Sequence, residues 1–125
     1  MKEVLNTANA PAAIGPYSQS IRTGGFLFIS GQIPIDPATG NIDAQDIPAQ
    51  TRQALKNMQA ILENAGLTMK NVVKTTVFMT DLTKFTDMNA VYSEFFTEDC
   101  PARSAIQVGA LPKGAMVEIE AIAAY

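Results

Sequence analysis

A chain of 125 residues with 47% hydrophobic content has material for one core and too little for two ordinary domains, so a single domain over residues 1–125 is expected. Nine basic and twelve acidic side chains give a formal charge of −3 with no Lys/Arg cluster, which weighs against a nucleic-acid partner because phosphate affinity rests on grouped positive charge. With no histidine and a single cysteine, Cys100, a Ser-His-Asp triad, a Cys-His pair, an ordinary zinc site and an intrachain disulfide are excluded.

Met1-Lys2-Glu3 leads into no apolar signal core, and no run approaches the length of a membrane span, so a cytoplasmic protein with no membrane partner is expected. Ile21-Arg22, Thr23-Gly24-Gly25 and Phe26 to Ile29 read as two strands joined by a tight glycine turn. Gly31 permits a bulge or the close approach of another backbone, Pro34 ends regular pairing, and Asp36 to Gly40 is a loop. From Pro48 onward, Leu55, Met58, Ile61, Leu62 and Ala65 fall on one helical stripe, with Asp46 as cap and Gly66 as a left-handed stop.

Val72 to Thr80 is rich in β-branched residues and predicts a strand with Val73, Thr75, Val77 and Met79 on one face. A second helix is expected after Thr83, which can cap it, with Phe85, Met88, Val91, Tyr92, Phe95 and Phe96 as a core stripe. Arg103 to Ala110 and Met116 to Ala123 predict two strands with a hairpin-like link at Leu111 to Gly114. The order is ββ-α-β-α-ββ, an α+β domain whose two helices cover one face of the sheet. In the last strand Val117, Ile119, Ala121 and Ala123 point to that core, while Glu118, Glu120 and Ile122 point away; that second face is either wet or an interface.

What remains for acid/base work is carboxylate, tyrosine, lysine, water and backbone. Arg103 follows Pro101-Ala102 at the head of a strand, where a guanidinium can meet a carboxylate of a ligand or form an ion pair with a glutamate. Glu118 and Glu120 read either as solvated charges or, if one is drier, as a base toward water. Backbone amides at Ser30-Gly31 can hold an anion or a water. Tyr17, in the rigid turn after Gly15-Pro16, reads as a rim aromatic, Asn89 as a local hydrogen-bonding residue, and Cys100 as a small buried filler.

Four separated blocks are more specific: Asn9 to Gln19 (NAPAAIGPYSQ), Phe28 to Pro34 (FISGQIP), Pro101 to Ser104 (PARS) and Val117 to Ala123 (VEIEAIA). In that order they resemble the RidA (YjgF/L-PSP) family, with Arg103 placing the chain in its arginine-containing branch. The resemblance implies a chorismate-mutase-like fold, a mixed sheet with two helices on one face, and a homotrimer whose sheets form a central barrel with clefts between protomers. It further implies hydrolysis of reactive enamines and imines, chiefly 2-aminoacrylate and 2-aminocrotonate, to 2-ketoacids and ammonia, with no cofactor and no metal.

By the same resemblance Arg103 grips the substrate carboxylate and Glu118 positions or activates water, while Glu120 is structural. Tyr17, Ser30 and Asn89 then line the cleft, and the backbone at Gly31 and Ala105 supplies donors. Ala105 stands where many members carry a cysteine, so no thiol acts at that position here. Two rival readings stay open, a 2-ketoacid binding module without turnover and an endoribonuclease.

Overall fold

Gly24 and Gly25 both take positive φ, 57° and 81°, a pair of left-handed conformations that residues with a Cβ adopt only at a cost. In the computed structural model, which describes residues 1–125, they join β2 (Ser20–Thr23) to β3 (Phe26–Gln32) as an antiparallel hairpin. A strand the sequence did not suggest, β1 (Glu3–Leu5), adds to the outer side of β2. Three residues are too few for alternation to show.

The helix α1 (Ile47–Asn64) begins where Asp46 accepts from the Ala49 amide at 2.8 Å, with Pro48 in the first turn. It ends where the Leu67 amide turns back to the Leu62 carbonyl at 2.9 Å, a reversal that needs Gly66 at φ 78°. Leu55, Met58, Ile61 and Leu62 are at most 1% exposed, and burying each contributes about 1.5–3 kcal/mol.

β4 (Val72–Met79) buries Val72, Thr75, Val77 and Met79 but leaves Val73 44% exposed. The expected alternation fails at its first step because the register against the last strand shifts between Val72 and Lys74, and such a shift turns side chains to the opposite face. α2 (Phe85–Phe95) follows a 3₁₀ turn at Leu82–Lys84. Thr83 is not its cap: Asp81 accepts from both the Thr83 amide, at 3.0 Å, and the Thr83 hydroxyl, at 2.6 Å. The carboxylate thus starts the turn and the threonine serves as its donor.

The remaining strands are β5 (Ala102–Gln107) and β6 (Val117–Ala124), and the sheet order is β1-β2-β3-β6-β4-β5. The hairpin-like link expected between the last two is not formed. β5 returns from α2 to lie parallel to β4 at the sheet edge, while β6 runs antiparallel to both β3 and β4. A parallel return needs a crossover, which α2 supplies. The central place falls to β6, whose Val117, Ile119, Ala121 and Ala123 are at most 4% exposed.

A core of 21 buried residues lies between the two helices and one sheet face, the α+β arrangement expected. The other face is bare and carries Phe26, Phe28 and Ile106, each more than 40% exposed. Cys100 is exposed rather than a buried filler, its sulfur 3.5 Å from the Phe96 carbonyl in the surface segment after α2. No helix is long and apolar enough to cross a membrane.

Candidate functional site

Arg103 is the second residue of β5 and lies opposite Thr75 of β4. Above it α2 presents Phe85, Asn89 and Tyr92, spaced i, i+4 and i+7 and therefore on one helical stripe. The guanidinium carbon is 5.1 Å from the Phe85 ring centre and 4.7 Å from that of Tyr92, and Nη1 donates to Asn89 Oδ1 at 2.8 Å. Tyr92 is itself held: its hydroxyl is 2.7 Å from the fully buried Thr75 hydroxyl, and its ring centre is 4.6 Å from that of Phe96.

Arg103 has no carboxylate partner. The ion pairs of the chain are Arg22 with Glu3 and Arg52 with Glu94, so the reading of Arg103 as one half of a salt bridge to its own chain's glutamates is set aside. Burial pushes the Tyr92 hydroxyl above its usual range, against the opposing pull of the Thr75 hydrogen bond and the Arg103 charge. It stays neutral at pH 7 and supplies no counter-charge. The half-buried guanidinium donates from Nη1 to Asn89, and its other N–H groups meet no carboxylate.

Phe85 and Tyr92 depart from the expectation that the aromatic stripe of α2 is wholly core. Tyr92 is buried, but Phe85 is only partly so and both rings face a charge. A polar residue, Asn89, interrupting an aromatic stripe was the available signal.

Glu118 sits on the bare face of β6, half-buried. Loss of solvent, and secondarily the charge of Glu120, raises its carboxyl above the ordinary value of 4.5. Its neighbour is Gly31, where the pairing of β3 with β6 shifts between Ile29 and Gln32. A Cβ on Gly31 would overlap the Glu118 carboxylate, lying 2.8 Å from Cδ. The close approach that calls for glycine is therefore to a side chain, not to a backbone.

The other candidates divide. Ser30 spends its hydroxyl on the Ser18 carbonyl at 2.5 Å and its amide on the Gln19 carbonyl at 3.0 Å, so it is not a free anion-binding amide. Tyr17 is 50% exposed, accepts weakly from the Ile14 amide at 3.3 Å, and shares a cleft of about 30 Å³ with Gly31 and Ile33. Ala105, two residues beyond Arg103, packs on the edge of the core.

Arg103, Asn89 and Ala105 thus lie on the helix side, and Gly31 and Glu118 on the bare side. Along the strands they are also offset, for Arg103 is opposite Thr75 whereas Glu118 is opposite Phe78. Within one chain the sheet stands between the guanidinium and the carboxylate.

An α+β sheet covered on one face, with an unpaired arginine at its edge, defines a class of small domains. The comparison with known proteins narrows it, because the family described as Endoribonuclease L-PSP matches residues 7–125. The chain belongs to this family, the RidA (YjgF/L-PSP) family. It is 58% identical to a RutC family protein of Pyrococcus horikoshii over 98% of each chain. It is 52% identical to the 2-iminobutanoate/2-iminopropanoate deaminase of Escherichia coli, again over 98% of each. Among solved structures, a Rid family protein of Yersinia pestis superposes with TM-score 0.97 at 52% identity over the whole of both chains. E. coli TdcF with bound serine superposes with TM-score 0.94 at 47% identity over 98% of each.

Proposed function

We propose that this chain, a single cytoplasmic domain over residues 1–125, hydrolyses small enamines and imines such as 2-aminoacrylate and 2-aminocrotonate to 2-ketoacids and ammonia. The observation that carries the reading is Arg103, a half-buried cation with no acid partner, tethered by Asn89 at one nitrogen only. Such a guanidinium is ready for a bidentate carboxylate. The deaminase names of relatives at 52% identity support the reaction class, and the serine bound to a relative's structure supports a small amino- or keto-acid ligand.

The second group is Glu118, whose raised pKa suits a base toward water near neutral pH. It lies across the sheet from Arg103, so the reading requires two copies of the chain, the edge of one bringing its Arg103 to the bare face of the next. Phe26, Phe28 and Ile106 on that face favour burial by another copy, and a homotrimer with three such clefts satisfies both needs. No cofactor enters the scheme.

Arg103 orients the carboxylate, the enamine picks up a proton at its β-carbon and becomes the imine, and water held by Glu118 adds to the C=N carbon. The carbinolamine then expels ammonia as the hydroxyl collapses to the ketone. Imines hydrolyse unaided, so about 10²- to 10⁴-fold from positioned acid/base groups suffices, and the missing histidines are no obstacle. The test is a serine or threonine dehydratase assay supplemented with this protein. Faster ketoacid release and less trapping of the intermediate by semicarbazide support the reading, and unchanged rates with retained pyruvate binding would leave only a binding module.

A further inference from the structure

Arginine stacked on a ring and arginine paired with an acid differ in what they leave free. A carboxylate partner neutralises the cation and occupies its N–H donors, whereas a ring face attracts the charge through its quadrupole and consumes no donor. Arg103 is of the stacked kind, with Phe85 and Tyr92 both within reach of its guanidinium carbon and only Nη1 hydrogen-bonded, to Asn89. That bond leaves the guanidinium's other N–H groups with no acceptor in the chain besides the nearby Tyr92 hydroxyl.

Resting on the reading of Arg103 as the carboxylate anchor, we propose that Phe85 and Tyr92, the latter locked by the buried Thr75 hydroxyl, are positioning residues that hold the guanidinium ready without spending its charge or its donors. A free arginine side chain carries rotamer entropy that a ligand must otherwise offset on binding. Here the ordering is done in advance by three residues of one helix face. The chain of contacts runs from the sheet core outward: Thr75 to the Tyr92 hydroxyl at 2.7 Å, the Tyr92 ring to Arg103 at 4.7 Å. Thr75 is also the cross-strand partner of Arg103, so backbone and side chain of the arginine are referenced to one point of the sheet. This goes beyond packing, because an apolar side chain such as Leu offers the guanidinium no ring face.

The test compares the assembled Arg103→Ala, Phe85→Leu, Tyr92→Leu and Tyr92→Phe proteins, with pyruvate as the probe in calorimetric titrations and the Arg103 Nε–Hε resonance followed by NMR. The expectation is that Phe85→Leu and Tyr92→Leu each weaken pyruvate about five- to tenfold and mobilise the Nε–Hε group, while Tyr92→Phe, which keeps the ring, stays within about threefold of the parent. If Arg103→Ala binds pyruvate like the parent, the anchor reading itself fails. If Arg103→Ala loses binding but both leucine variants bind like the parent with an unchanged Nε–Hε resonance, only the positioning proposal falls. Should Tyr92→Leu not fold, Phe85→Leu, altering a partly exposed ring, decides alone. A Tyr92→Phe loss equal to that of Tyr92→Leu would overturn the role given to the Tyr92 ring.

Discussion

The two faces of the sheet carry the two candidate groups, Arg103 and Glu118, and are held by different means. Under the helices Leu27, Val77 and Ile119 are fully buried, and Arg103 is set by contacts its own chain makes. On the bare face Phe28 and Ile106 remain 43% and 45% exposed, and Glu118 leans on Gly31 with no covering element. One face is finished by folding; the other is left bare within a single chain. Under the proposed function, a cation fixed by folding and a base fixed by assembly make activity depend on the meeting of two copies.

The largest expected effect breaks the finished side. Arg103→Ala removes the carboxylate contact, costs about 2–5 kcal/mol of ligand binding, and nearly abolishes ketoacid release in the dehydratase assay while the trimer persists. Activity within twofold of the parent would remove Arg103 from the mechanism. On the bare side, Phe28→Lys takes from the proposed interface the exposed part, 43%, of an apolar side chain, about 0.6–1.3 kcal/mol per copy. Sedimentation at micromolar concentration should show a shift toward monomer, with an unaltered circular dichroism spectrum.

Gly31→Ala sharpens the comparison, because its Cβ displaces the Glu118 carboxylate. Overpacking of this kind costs about 1–3 kcal/mol, and turnover should fall more than pyruvate affinity. The smallest effect is in pH dependence. In the proposed scheme the Glu118 base works ionised, so turnover declines as pH falls through its raised pKa. For stability the sign is opposite. Between the ordinary 4.5 and the raised value the folded chain holds a proton that the unfolded chain has lost, so stability decreases as pH rises through this window. Denaturant midpoints of Glu118→Gln should show a flatter slope there.

What could be read from the sequence was what is local. Asp46, Pro48 and Gly66 mark the two ends of α1, and Gly24-Gly25 its own turn, because each acts on residues within a few positions. The alternation of β6 gave the faces of Glu118 and Glu120 for the same reason. The position of β5 was not legible, since parallel pairing with β4 is a long-range choice and Leu111 to Gly114 has the composition of a hairpin turn. Val73 was misplaced by a register shift that no residue nearby announces. In the candidate site, Arg103 and Glu118 stood out by type, but their separation by the sheet follows from pairing, and the rings around Arg103 follow from how α2 settles on β4 and β5. Periodicity marks which residues share a face, not what that face meets.

The central claim is that Arg103 of one copy works with Glu118 of another, and mixing two inactive proteins tests it most directly. Arg103→Ala and Glu118→Gln trimers, unfolded together in equal amounts and refolded, place an intact Arg103 beside an intact Glu118 of its neighbour in about one cleft in four if assembly is random and cyclic. Deaminase activity should return to about a quarter of the parent's, whereas each variant refolded alone stays inactive. A refolded mixture as inactive as its components, in trimers shown to contain both chains, would contradict the account.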